Sequence, residues 1–185
     1  MDITYFGHAS FLVEIGGKKL LFDPFITPNE LAKEIDISSI EADYILLSHA
    51  HEDHVADFEP LAKQTGAQLI STFEICTYYA TKGHENYWPM NHGGKHTFDF
   101  GTVKLVNAVH TSTFADGTPG GSPAGFVVKG EDKTFYFAGD TALTYDMKLI
   151  AEEFSVDVAI MPIGDNFTMG PDDALYAAEL VAAPI

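Results

Sequence analysis

The segment Ser48-His49-Ala50-His51-Glu52-Asp53-His54 packs three imidazoles and an aspartate into residues 49–54. Imidazole nitrogen and carboxylate oxygen are the usual protein ligands for zinc and similar divalent ions, with bonds of about 2.0–2.2 Å. The apolar run Tyr44-Ile45-Leu46-Leu47 comes directly before and reads as a short buried strand. The donors therefore begin where a strand ends. In extended chain, residues two apart point the same way, so His49 and His51 can aim at one point. Asp53 and His54 follow after the chain has turned. They face that point from another side, or face a second point close by. The bland reading is a solvated, histidine-rich loop. So many donors at a strand end favour a metal site.

Two further donors also follow strands. His110 comes after the run 102–108, and Asp140 after Thr134-Phe135-Tyr136-Phe137-Ala138. Taken singly, one is a turn histidine and the other a Gly-Asp turn. Beside the first cluster both become ligand candidates. A carboxylate has two oxygens, so Asp140 could bridge two ions about 3.5–4 Å apart. His8 lies on a tight turn, Gly7-His8-Ala9-Ser10, between two short strands.

Positioning these groups takes strands first, then strands alternating with helices. Strands are expected at 3–6, 10–15 and 19–22, with Gly16-Gly17 as a two-residue hairpin turn. A short helix is expected over 28–37, with Thr27 as its cap and Pro28 at its first position. A helical face of Phe58, Leu61 and Ala62 ends near Gly66, a strand covers 67–70, and a helix covers 73–82. Residues 84–97 read as an irregular loop and 111–124 as a long Gly/Pro/Ser/Thr loop, a length that is often functional. Strands at 97–100, 102–108, 125–129, 134–138 and 156–160 follow, with helices at 145–153 and from Pro171. The last helix is expected to turn Leu175, Ala178 and Val181 to one face. The pattern suits an α/β fold, a four-layer αββα sandwich of two mixed sheets, spanning residues 1–185 as a single domain.

Composition narrows the function classes. The chain is 46% hydrophobic and 20% charged, with a net charge of −17, ten lysines and no arginine. Such a surface repels nucleic acid and anionic membrane. Without a guanidinium fork, an anionic substrate group must be met by metal, lysine, histidine or backbone N–H. No apolar run approaches the roughly 20 residues that span a bilayer. The N-terminus enters a strand-like pattern with no leader signature, and Cys76 has no partner for a disulfide, so a cytoplasmic location is expected. A small-molecule substrate fits this surface, and a homo-oligomer is compatible with it.

The pattern His-x-His-x-Asp-His resembles that of the metallo-β-lactamase superfamily. The chain is similar to its ascorbate-6-phosphate-lactonase-like branch, and within that to a group of uncharacterised metal-dependent hydrolases. Gly7-His8-Ala9-Ser10, His49 to His54, Met90-Asn91 with Gly93-Gly94, and Ala108-Val109-His110 carry the match. So do the stretch from Gly120 to Phe126, Tyr136-Phe137-Ala138-Gly139-Asp140-Thr141, and the stretch from Pro162 to Pro171. The resemblance implies the metallo-β-lactamase fold and two metal ions, zinc first, with manganese or iron as alternatives. It implies His49, His51 and His110 on one ion, Asp53 and His54 on the second, Asp140 between them, and His8 close by. Members of the superfamily carry a last histidine at the end of a later strand. No histidine follows His110 here, and Ala183-Pro184-Ile185 reads as the approach to that strand. A chain truncated before it is therefore expected, with its second metal site short of one ligand.

The chemistry expected is hydrolysis of an ester, lactone or phosphoester by a hydroxide held on the metal, whose charge lowers the pKa of water towards about 7. Asp53 would orient the water and take its proton. His8 would donate to the substrate or leaving group, or serve only as a turn histidine. Asn91, Asn166 and Thr168 lie in loops that could line the pocket, although each also suits local turn bonding. His84, His92 and His96 read as loop histidines, with His92 nearest the pocket rim. The rival readings are a non-catalytic metal-binding or regulatory module and a nuclease with the same motif. The charge of −17 opposes the nuclease.

Overall fold

A computed structural model describes residues 1–183. The chain divides into two compact units, one of residues 1–91 and 112–121, the other of residues 92–111 and the chain from Ser122 onward. Each holds one mixed sheet with helices, the α/β composition expected.

The first unit is built on β1 (Asp2–Gly7), β2 (Ser10–Ile15), β3 (Lys18–Phe22), β4 (Tyr44–Leu46), β5 (Gln68–Thr72) and β6 (Tyr87–Met90), in that spatial order. β1 to β3 are antiparallel hairpins, and β3 to β6 run parallel. Gly16 and Gly17, at φ +58° and +74°, make the two-residue turn that pairs Ile15 with Lys18. Parallel strands need crossovers. Here they are a connection with two short 3-10 turns (Glu30–Ala32 and Ile37–Ser39), then α1 (Glu52–Val55) and α2 (Phe58–Thr65), then α3 (Phe73–Thr81). Gly66 closes α2 at φ +71°. The expected helix over 28–37 is not formed. Asn29 and Asp36 each accept a backbone N–H two residues on, so each starts its own one-turn 3-10 helix and the run is split in two. The core joins Leu21, Ile45, Leu47, Phe58, Leu61, Leu69, Ile75 and Phe114, all at most 4% exposed. Burying each large side chain contributes about 1.5–3 kcal/mol.

The segment read as an irregular loop, 84–97, contains β6 and the start of the next strand. Trp88 and Pro89 sit on β6, the edge of the first sheet, where a proline is tolerated.

The second unit holds β7 (Lys95–Phe98), β8 (Gly101–Asn107), β9 (Ala124–Lys129), β10 (Thr134–Phe137) and β11 (Val158–Ile160), ordered β11-β10-β9-β8-β7. Only β10 and β11 are parallel. α4 (Met147–Glu153), through Met147 and Ile150, and α5 (Pro171–Leu180), through Ala174 and Ala177, share a core with Val127, Tyr136 and Met169. α5 buries Ala174, Ala177 and Val181, whereas Leu175 is 51% exposed. Of the expected stripe of Leu175, Ala178 and Val181, Val181 is buried, Ala178 is half-buried and Leu175 is exposed, and Ala174 and Ala177 take the inward positions. The end expected to approach a further strand, Pro184-Ile185, lies outside the described residues.

Candidate metal centre

In the first unit β3 and β4 run parallel in register, Phe22 beside Leu46. Their carboxyl ends therefore open on one edge, the edge where parallel sheets place their ligands. Asp23 leaves β3 there and the histidine segment leaves β4. The hairpin between β1 and β2 turns back at the same edge, since Gly7 pairs with Ser10 and Phe11 with Phe22. His8 sits on that turn at φ +52°, in a position usually given to glycine. Gly7, at φ +108°, makes room for Asn29, whose amide nitrogen lies 2.8 Å from where a Cβ would stand.

His49 and His51 converge as extended chain requires, with His49 Nε2 3.0 Å from His51 Nδ1. After His51 the chain enters α1, with Asp53 in its first turn and His54 in its last. This puts a second donor group beside the first. His8 Nε2 stands 3.0 Å from Asp53 Oδ2, and His54 Nε2 is 4.0 Å from the same oxygen. Ligand atoms of His8, Asp53 and His54 all lie within 4.8 Å of one another. Donors bound at about 2.0–2.1 Å with tetrahedral angles stand roughly 3.3 Å apart. The two nitrogens and one oxygen thus suit a divalent cation in spacing and chemistry.

The groups behind the donors are Asp23, Ser48 and Asp57, none of which the sequence reading singled out. Asp23 is fully buried and adopts φ +39°. Its Oδ2 meets His54 Nδ1 at 2.8 Å, and its other oxygen accepts the Ser48 N–H at 2.7 Å. The Ser48 hydroxyl donates to Asp23 and lies 2.9 Å from His49 Nδ1. Both imidazoles are thereby engaged at Nδ1, the arrangement by which outer groups turn a ligating Nε2 towards a metal. Asp57, 3% exposed, accepts the N–H groups of Ile26 and Thr27 at 2.6 and 2.8 Å. It pins the loop after Asp23, from which Phe25 stands edge-on to His8 at 5.5 Å. The signal available in the sequence was Asp23-Pro24 at the end of a strand beside the histidine segment.

Electrostatics separate the two carboxylates. The bond from His8, helped by the charges of His54 and His8, lowers the Asp53 pKa to about 2 against the opposing effect of burial. Burial pushes the Asp23 pKa up, opposed by its bonds from His54 and Ser48.

In the second unit β8 and β10 run the same way on either side of β9. The loops after them carry His110 and Asp140, with His110 Nε2 3.8 Å from Asp140 Oδ2. Thr141 Oγ1 accepts the Val109 N–H at 2.9 Å, and the Ala142 N–H bonds the Val109 carbonyl at 3.0 Å. The two loops are thus joined next to both donors. Asn166, at φ +51°, and Thr168 make local bonds to Asp165 Oδ1 and to the Met169 carbonyl. Asn91 follows β6 in the first unit and is exposed. His84 Nε2 bonds the Asn86 carbonyl, His92 Nε2 bonds that of Pro123, and His96 stacks edge-on to Phe98.

A family model described as the beta-lactamase superfamily domain matches residues 2–185. A UPF0173 metal-dependent hydrolase of Flavobacterium johnsoniae is 58% identical over 181 residues, covering 98% of this chain and 80% of that protein. The protein of the same name from Christiangramia forsetii is 54% identical, with 98% and 80% covered. Among solved structures, Igni18, a metallo hydrolase of Ignicoccus hospitalis, superposes with a TM-score of 0.87 at 35% identity, covering 98% of this chain and 78% of that one. An isothiocyanate hydrolase from Delia radicum gut bacteria gives a TM-score of 0.75 over 98% of this chain and 81% of that one. At 20% identity that likeness is one of fold alone.

Proposed function

The chain belongs to the metallo-β-lactamase superfamily and, within it, to the UPF0173 metal-dependent hydrolase family, and from that membership we propose that it hydrolyses an ester, lactone or phosphoester of a small molecule. The observation that carries the reading is the meeting of His8, Asp53 and His54 donor atoms within 4.8 Å, with His54 held from behind by buried Asp23. The lactonase-like branch is part of the same proposal and rests on Gly7-His8-Ala9-Ser10 and its companion motifs.

Such a donor set would hold a divalent ion, and the chemistry supplied there would be Lewis-acid activation of a water and of the group under attack. By residue type and motif, His49, His51 and His110 are proposed for one ion, Asp53 and His54 for a second, and Asp140 for both. Zinc is the first choice; manganese and iron take the same donors. Asp53, a carboxylate beside His8 at the site, is assigned to accept the proton of the attacking water. His8, beside Asp53 and outside the proposed ligands of either ion, is assigned to deliver a proton to the leaving group. Asn91, Asn166 and Thr168 are assigned to the substrate. The net charge of −17 supports a small molecule over nucleic acid or anionic membrane. Among the described residues no helix is long and apolar enough to cross a membrane, and a cytoplasmic location is proposed.

Elemental analysis of protein purified without chelator, combined with a screen of lactone, ester and phosphodiester substrates, tests this. About two ions per chain and metal-dependent turnover are expected. The His51→Ala variant should lose metal and turnover together. Retention of both in that variant would overturn the assignment.

A further inference from the structure

We infer that Ser112 is a positioning residue for the His49-Ala50-His51 segment, acting through the hairpin 112–121 as a clamp on the peptide between the two imidazoles. The inference rests on the proposed metal-binding role of His49 and His51 and extends it to residues outside the donor set.

Ala50 is fully buried, and a buried N–H requires an acceptor. No strand continues through residues 49–51 to supply one. The acceptor is the Ser112 hydroxyl, 62 residues away in sequence and 3.1 Å distant. The bond falls on the His49–Ala50 peptide, at the one residue that separates the two histidines. A displacement there would turn both rings, whose nitrogens stand 3.0 Å apart.

The hairpin is built to hold that hydroxyl still. The Ser112 carbonyl accepts the Gly120 N–H at 3.0 Å, and Thr113 bridges Pro119. The Phe114 N–H bonds the Thr118 carbonyl at 2.9 Å. Phe114 is 4% exposed and stacks on Tyr78 of α3 at 3.5 Å, while the Tyr78 hydroxyl donates to Asp116 at 2.9 Å. Gly120 lies directly on the contact. A Cβ there would come within 2.3 Å of the Ala50 Cβ and 2.4 Å of the Ser112 oxygen. This gives the Gly120-Gly121 motif a physical reason: only glycine lets the returning strand of the hairpin press on the Ala50–Ser112 bond.

The test is titration of metal-depleted protein with Co(II), read by its visible ligand-field spectrum, with affinity from competition against a chelating dye. Removing an outer group that orients ligands costs 10- to 100-fold in affinity in other metal sites. Ser112→Ala should fold as judged by circular dichroism, bind Co(II) at least roughly tenfold more weakly, and show a shifted spectrum. Wild-type affinity and an unchanged spectrum in this variant would overturn the inference. Should Ser112→Ala fail to fold, Ser112→Thr and Ser112→Val, nearly equal in shape, isolate the hydroxyl. Binding kept in the first and lost in the second supports the clamp, and equal binding in both overturns it. Failure of the wild-type protein to bind Co(II) would instead remove the metal-site reading on which the clamp depends.

Discussion

His8 Nε2 lies 3.0 Å from Asp53 Oδ2, joining a strained β-turn to the first turn of α1 across 45 residues of chain. The folded Asp53 pKa of about 2 stands below its unfolded value of about 3.9. The contact therefore stabilises the fold above pH 4, and that contribution is lost as pH falls towards 2. Both groups are substantially exposed, so solvent screening keeps the contribution small. In chelator-treated protein, the Asp53 carboxyl resonance should titrate near pH 2, and in His8→Ala it should move up towards the ordinary aspartate range. An unchanged midpoint would show that His8 is not the cause.

Asp23→Asn tests the support behind the imidazoles. The amide can accept one bond of the set but cannot match a carboxylate that meets His54 Nδ1, the Ser48 N–H and the Ser48 hydroxyl. Metal affinity should fall about 10- to 100-fold. Thermal unfolding should show a loss of at least about 1–3 kcal/mol, the cost of a buried polar group left unmatched. Affinity equal to wild type, measured by chelator competition, would separate Asp23 from ligand orientation.

Gly101→Ala addresses the second sheet alone. Gly101 opens β8 at φ +139°, and a Cβ there would stand 2.3 Å from the Lys129 carbonyl oxygen. Neither the backbone conformation nor the space admits a side chain. Urea denaturation should report a loss of more than about 2 kcal/mol, in the range of strained backbone positions. A loss under half that would mean the β8–β9 pair relaxes freely.

Cys76 is buried on α3, and burial pushes its thiol up to about 12. The unfolded thiol ionises near 8.5. Above that value the unfolded state gives up a proton that the folded state retains, so stability should fall as pH rises from about 9 towards 12. Native protein at pH 8 should resist alkylation by iodoacetamide, and the same protein in urea should react promptly. Prompt labelling of the native form would show α3 opening far more often than its packing implies.

Much of the fold was legible in the sequence because short-range rules decide it. Gly16-Gly17, Gly66 and Pro171 marked a hairpin, a helix end and a helix start, and each stands where its conformational freedom or constraint is used. The convergence of His49 and His51 followed from extended geometry alone. What escaped depended on distant partners. Tyr87-Trp88-Pro89-Met90 has no alternating pattern, and only pairing with β5 makes it a strand. The stretch 28–37 carries helical spacing, yet Asn29 and Asp36 divert it locally. Asp23 has no partner close in sequence to mark it, and its importance lies in bonds to residues 25 and 31 positions away.

Pro89 also bears on how the molecule behaves in a crowded solution. β6 is the outermost strand of its sheet, and outer strands are where foreign chains add and fibrils grow. A newcomer at this margin would meet a proline ring and the part-exposed indole of Trp88, with no unbroken row of amide donors. The first sheet is therefore guarded on this side against recruitment into cross-β polymers, a protection that Pro89→Val would remove without touching the donors at the far ends of β3 and β4.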